Sequence, residues 1–229
     1  MRCAIHQPNF FPWLGYFHKI ATADVFVFLD DVQYEKSGKG TWGNRVKLLI
    51  SGEPKWFTAP VKRPKGTIWN VNETNFQDTN WRDKLYKTLV FNYSKAPFFD
   101  KYHEQVKKLI DYECNNMSDY NINVIRELCE IFQITDTSFV KSSEINTGTS
   151  STQKLIDLTL AAKCKTYLSG NGASGYMEDS MFEKAGLSLE FQDFTHPVYP
   201  QNSKNEFCPG LSAIDYLFNC GGVKPFKSI

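Results

Sequence analysis

Residues 2–31 read RCAIHQPNFFPWLGYFHKIATADVFVFLDD, and the alternation inside this stretch decides the fold class. Arg2 to His6 has the pattern of a short strand, the Pro8 to Pro12 segment breaks it, and Trp13 to Ala21 carries Leu14, Phe17 and Ile20 at helical spacing. Asp24 to Leu29 is then a continuous β-branched and aromatic run, the pattern of a strand buried on both faces. Strand, helix and strand in succession make a βαβ unit. Its right-handed crossover sets the strands parallel and brings their carboxyl ends, His6-Gln7 and Asp30-Asp31, to one edge of a sheet.

The second half repeats the alternation. Strands are predicted at Ser138 to Lys141, Thr166 to Leu168 and Leu187 to Phe191, with helices at Ser151 to Ala162 and near Asp179 to Ala185. The expected fold is therefore α/β, a mostly parallel, Rossmann-like three-layer sheet. Between the halves, Val46 to Ile50 and Lys55 to Val61, joined by Ser51-Gly52-Glu53, read as a β-hairpin. Helical spacing follows near Trp81 to Phe91, Lys101 to Asp111 and Tyr120 to Phe132. Residues 34–135 thus form an elaborated insertion in one domain spanning 1–229, placed to cap the sheet edge. A last helix starts at Ser212 as N-cap and stops at Gly221 and Gly222.

The formal net charge is +1 with both signs interspersed, so no face can neutralise a run of phosphates, and nucleic acid is excluded as a partner. The apolar runs are strand-length, far short of the ~20 residues of a bilayer span. No apolar signal stretch follows Met1-Arg2-Cys3, so a cytoplasmic protein is expected. The six cysteines show no CxxC pattern and read as reduced thiols, Cys208 in its Pro-flanked loop being the best nucleophile among them. The four histidines form no HxH or HxxxH pattern, which gives no metal-ligand set. Aromatic residues reach 15%, more than periodic core positions use, so some should line a cavity.

Four loops concentrate hydrogen-bonding and aromatic side chains at predicted strand ends. The first holds His6, Gln7, Asn9 and Tyr16 at a strand-to-helix turn, where exposed N–H groups suit anions. The second is Asp30-Asp31-Val32-Gln33-Tyr34, followed by Trp42, Asn44 and Arg45. Adjacent carboxylates on an extended chain point to opposite sides, so one of the pair faces the site, as a base or a cap. The third is the glycine-rich Ser169-Gly170-Asn171-Gly172-Ala173-Ser174-Gly175-Tyr176, which matches neither the Walker pattern nor GxGxxG. The fourth is Phe194-Thr195-His196-Pro197-Val198-Tyr199-Pro200-Gln201. Each has a purely structural reading as turns, caps and satisfied buried polar groups. Their recurrence at successive strand ends predicts a shared cleft.

AIHQPNFFPWLGYFHKIATADVFVFLDDVQ, YLSGNGASGYM, HPVYPQ and LSAIDYLFNCGG together resemble the WbqC-like family, over residues 3 to about 222. Members are typically encoded among genes for O-antigen and other surface polysaccharides, which implies nucleotide-sugar metabolism. The function expected from that resemblance is N-acyl or aminoacyl transfer to the amine of a nucleotide-linked amino sugar, with an acyl donor such as acyl-CoA or acyl carrier protein. In that reading His6 or Asp31 removes the proton, His196 is the rival base, and Ser169, Asn171 or glycine-loop N–H groups stabilise the oxyanion, the other loop residues binding substrate. Pro12-Trp13-Leu14-Gly15-Tyr16 is also similar in placement to the HxGH region of adenylyltransferase-like proteins, but Trp13 and Tyr16 replace both histidines. Nucleotidyl or other ATP-dependent transfer, and a non-catalytic nucleotide-sugar-binding accessory role, are the alternatives. Nothing in these motifs specifies an oligomeric state or a metal.

Overall fold

The computed structural model describes residues 1–35, 42–63, 68–170, 178–204, 206–223 and 226. Strand β1 (Arg2–His6) lies at the centre of a five-stranded sheet, and helix α1 (Leu14–Thr22) crosses from it to β2 (Val25–Phe28). The two strands are parallel, with Cys3 opposite Val25 and His6 opposite Phe28. Beyond β2 lies β5 (Ser138–Lys141). The chain then returns to the other side of β1 with β6 (Thr166–Ser169) and β7 (Ser188–Phe191), reached through helices α6 (Ser151–Ala161) and α7 (Asp179–Lys184). All four pairings are parallel and the order is β5-β2-β1-β6-β7. The direction of winding therefore reverses between β1 and β6, and in open α/β sheets such a reversal opens a crevice at the carboxyl ends of the strands.

Alternation along the strands sorts their side chains onto two faces. Ala4, Phe26, Phe28 and Leu168 join one apolar cluster with Leu14, Phe17 and Ile20 of α1. Cys3, Ile5, Val25, Val27 and Tyr167 join the other with Ile156 and Leu158 of α6 and Phe182 of α7. This is the three-layer arrangement expected from the sequence. Each fully buried phenylalanine in it stabilises the fold by about 2–3 kcal/mol.

Between β2 and β5 the chain builds the antiparallel hairpin β3 (Arg45–Ile50) and β4 (Glu53–Thr58), a 3-10 turn at Val71–Glu73, and helices α2 (Asn80–Tyr93), α3 (Phe99–Asp111) and α4 (Met117–Ile131). The hairpin turn is two residues, shorter than the three expected. Ser51 and Gly52 both take positive φ, at 54° and 77°, which closes a tight turn and starts β4 at Glu53. Pro54 is tolerated there because a two-stranded sheet has only edge strands. A short helix α5 (Ser142–Ile145) after β5 had no sequence signal; four residues carry too little periodicity to read. The last helix, α8 (Ala213–Cys220), starts as expected, with the Ser212 hydroxyl accepting from the Ile214 N–H at 3.3 Å, and stops where Gly221 turns to φ 85°. Among the described residues no helix is long and apolar enough to cross a membrane.

Helices α4 and α8 bury their apolar faces in the same cluster as α1, through residues such as Val124, Leu128, Ile214 and Leu217. The consequence falls on α1, whose residues Leu14 to Ile20 are all buried. His18 and Lys19, only 7% and 4% exposed, are carried inside with the rest.

Candidate functional site

A cleft of about 1140 Å³ opens at the reversal point. Ile5, His6 and Gln7 supply its β1 wall, Tyr167, Ser169 and Gly170 its β6 wall, and Trp13 with Gly15, Tyr16 and Lys19 of α1 its flank. Glu35, Trp42 and Lys47 from the insertion and Gln192 and Phe194 after β7 also line it, with Asn9, Leu29, Leu155 and Gly210.

The turn between β1 and α1 is held rigidly. Tyr16 donates its hydroxyl to the Gln7 carbonyl at 3.0 Å and packs edge-on to the His6 ring at 4.9 Å. Asn121 of α4 donates to the carbonyls of Pro8 and Gly43 at 2.9 and 2.7 Å, and Ser212 donates to the Phe11 carbonyl at 2.9 Å. Phe11 adopts a left-handed φ of 44°, and both it and Phe10 are 1% exposed. These two rings, for which a purely core use was not expected, are therefore core, and so is much of the aromatic surplus. The rings lining the cleft are Trp13, Tyr16, Trp42, Tyr167 and Phe194, with His6.

His6 Nδ1 lies 3.0 Å from the Gln7 carbonyl. A carbonyl only accepts, so Nδ1 carries the proton and Nε2 keeps its lone pair. Burial, and then the Lys19 ammonium, hold the His6 pKa down to about 4, so the ring is neutral at pH 7. Lys19 donates to the Ile5 carbonyl at 2.9 Å, and burial lowers its own pKa to about 8. Lys19 gives no signal in the sequence, because a lysine on a helix is ordinarily solvated. Neither does Gln192, whose Nε2 donates to the Gly15 carbonyl at 2.7 Å while its N–H donates to the Ser169 carbonyl at 2.8 Å, joining α1 to β6. A Cβ at Gly15 would stand 2.3 Å from the Trp13 indole, which lies folded over the first turn of α1, so any larger residue there must displace the ring.

Of the residues expected at the site, His6, Gln7, Asn9, Tyr16, Ser169 and Gly170 line the cleft. Asn171, Gly172 and Tyr176 lie outside the described residues. The others have different surroundings. Asp30 is buried, accepting from the Ser143 N–H and hydroxyl at 2.9 and 2.7 Å, and Asp31 accepts from the Ser142 hydroxyl and pairs with Lys154 at 2.7 Å. Both carboxylates therefore turn toward α5, not to opposite sides, because the chain has already left the strand at Phe28. Asn44 accepts from the Tyr34 hydroxyl and donates to the Ala59 carbonyl, Arg45 lies 4.4 Å over the Trp56 ring, and Gln33 is exposed beside Asn70.

His196 stacks behind Trp13 at 6.5 Å, with Nδ1 donating to the Pro197 carbonyl and a buried Nε2 that has no partner among the described residues. Tyr199 and Gln201 donate to the fully buried Asp215 of α8 at 2.8 and 3.0 Å. The first and third strand-end groups thus meet in the cleft, the second reaches it through Trp42 and the fourth through Phe194, and Asp31 and His196 are not among its lining residues. Cys208 is not among the lining residues either, its N–H donating to Gln201.

The sequence pattern of the WbqC-like protein family matches residues 7–225. The chain belongs to that family. This WbqC-like chain is also similar to the uncharacterized protein Rv1507c of Mycobacterium tuberculosis, 28% identical over 225 residues that cover 98% of this chain and 96% of that protein. No solved structure matches it.

Proposed function

We propose that this WbqC-like protein is a transferase of nucleotide-sugar metabolism that acylates the amino group of a nucleotide-linked amino sugar, taking an acyl or aminoacyl group from a thioester of the acyl-CoA or acyl carrier protein type. The observation that carries the proposal is the neutral His6, with its Nε2 lone pair, at a crevice of nucleotide-sugar size on the winding reversal of the sheet. The sugar amine attacks the thioester carbonyl carbon and the C–N bond forms. His6 Nε2 takes the proton from that nitrogen, the C–S bond breaks, and the proton passes to the departing thiolate. A neutral base is what the step needs, because the amine nitrogen becomes strongly acidic once bonded to the carbonyl carbon. Ser169 and Gly170 are the groups assigned to the developing oxyanion, and the aromatic walls to the base and sugar.

The test is to incubate the purified protein with UDP- and dTDP-linked amino sugars and a set of acyl-CoA donors, following the sugar nucleotide by mass spectrometry. Gain of one acyl mass is expected, with His6→Gln slowing it on the order of 10²-fold or more. No mass gain in any combination, or full activity in His6→Gln, overturns the proposal. Pyrophosphate release from ATP would favour nucleotidyl transfer instead. Against that reading stands the absence of a cation at the two HxGH positions, where Trp13 is folded over Gly15 and Tyr16 bonds the Gln7 carbonyl.

A further inference from the structure

Lys19 is a charged side chain in a position where charge is expensive. It is 4% exposed, on a helix covered on all sides, and among the described residues its Nζ has one protein acceptor, the Ile5 carbonyl at 2.9 Å. Among the described residues it belongs to no ion pair, unlike the other buried lysine, Lys154, which is matched by Asp31. Buried charges in folded proteins are paired or solvated, and an unpaired ammonium on a cleft wall is half of an ion pair. Its surroundings suit an anion. Lys19 and Lys47 line the cleft against a single carboxylate among the lining residues, Glu35, and the first turn of α1, the positive end of its dipole, borders the same space.

We infer that Lys19 is the cleft's diphosphate-binding residue, supplying the buried counter-charge for a diphosphate laid across the crevice between β1 and β6. The inference shares its cleft with the acyl-transfer proposal and rests on that reading only for what the diphosphate is attached to, a nucleoside of the acceptor or the coenzyme A of the donor. It also gives His6 a second property. The ammonium is one of the two causes that keep His6 from accepting a proton, so neutralising it with a diphosphate makes the imidazole more basic when substrate is present.

The experiment is calorimetric titration of the full chain with inorganic pyrophosphate, UDP, coenzyme A and uridine, in wild type and in Lys19→Met. Pyrophosphate is expected to bind wild type and to lose tenfold or more of its affinity in Lys19→Met, while uridine, if it binds, is unchanged. Loss of UDP affinity in the variant would assign the diphosphate to the sugar nucleotide, and loss of coenzyme A affinity to the donor. Equal pyrophosphate affinity in a folded Lys19→Met, or no binding to wild type, overturns the inference. Should the variant fail to fold, NMR titration of His6 in wild type decides: saturating pyrophosphate must move its pKa upward, and an unmoved titration overturns the inference. Lys19-dependent pyrophosphate binding with no acylation in any assay would leave this inference standing and sink the proposed reaction alone. Acylation with Lys19-independent binding would do the reverse.

Discussion

At the scale of single residues, the cleft is governed by what burial does to ionisable groups. His6 has its pKa lowered from 6.5 to about 4, so between those values the unfolded chain holds a proton that the folded chain refuses. Stability contributed by neutral His6 is complete above about pH 6.5 and is lost as pH falls toward 4, with a slope approaching about 1.4 kcal/mol per pH unit. His6→Gln should therefore flatten the acid side of the stability curve, checked by urea midpoints at pH 4.5, 5.5 and 6.5. His196 is shifted in the same direction by burial, so part of the slope remains. Gly15 is the second residue whose identity is dictated. Gly15→Ala improves helix propensity by up to about 1 kcal/mol but drives the Trp13 indole off its seat. The expected outcome is a melting temperature within a few degrees of wild type, a changed tryptophan emission, and pyrophosphate binding weakened about tenfold. An unchanged emission and affinity would show that the indole seat does not shape the cleft.

At the scale of elements, the carboxyl end of β2 is tied to α5 and α6. Asp31, with 17% of its side chain exposed, meets Lys154, 9% exposed, and the same Asp30-Asp31 pair accepts from Ser142 and Ser143 at the start of α5. Removing one partner of such a pair leaves a buried charge, so Asp31→Asn should cost about 3 kcal/mol in urea unfolding, and adding Lys154→Met should recover part of it. Were Asp31 instead the proton acceptor of the reaction, the single variant would lose turnover at unchanged stability. The element reading also explains the insertion. Its helix α4 reaches the β1–α1 turn through Asn121, and its Trp42 carbonyl accepts from Phe10, so the segment between β2 and β5 braces the turn that carries Gln7 and Asn9.

At the scale of the molecule, the cleft draws on the central sheet, α1, the insertion and the chain after β7. A ligand filling it should protect amides of residues 13–19, 42–47, 169–170 and 192–194 together in hydrogen exchange. At about 100 times its dissociation constant it should add roughly 2.7 kcal/mol to stability. Protection confined to the two strand ends would show that Trp42 and Lys47 do not close on the ligand. Much of this architecture was legible in the chain, because hydrophobic periodicity is local. The unbroken VFVF of residues 25–28 announces a strand buried on both faces, and Ser212 and Gly221 bracket a helix, before any neighbour is known. The cleft was legible in part. His6, Gln7, Asn9, Ser169 and Gly170 stand at strand ends that topology alone sends to one edge. Lys19 gave no signal, since on a helical wheel it is one more solvated lysine; it is buried only because α1 is covered on all sides. His196 is the rival base to His6 in the sequence, yet it stacks on Trp13 and is not among the residues lining the cleft. The sequence by itself determined the alternation of strands and longer helices and the sheet edge where the cleft opens, because spacing and turn residues act over a few positions. Only the tertiary structure decided which polar groups were desolvated together and which were spent on holding the fold, because burial depends on residues far apart in the chain.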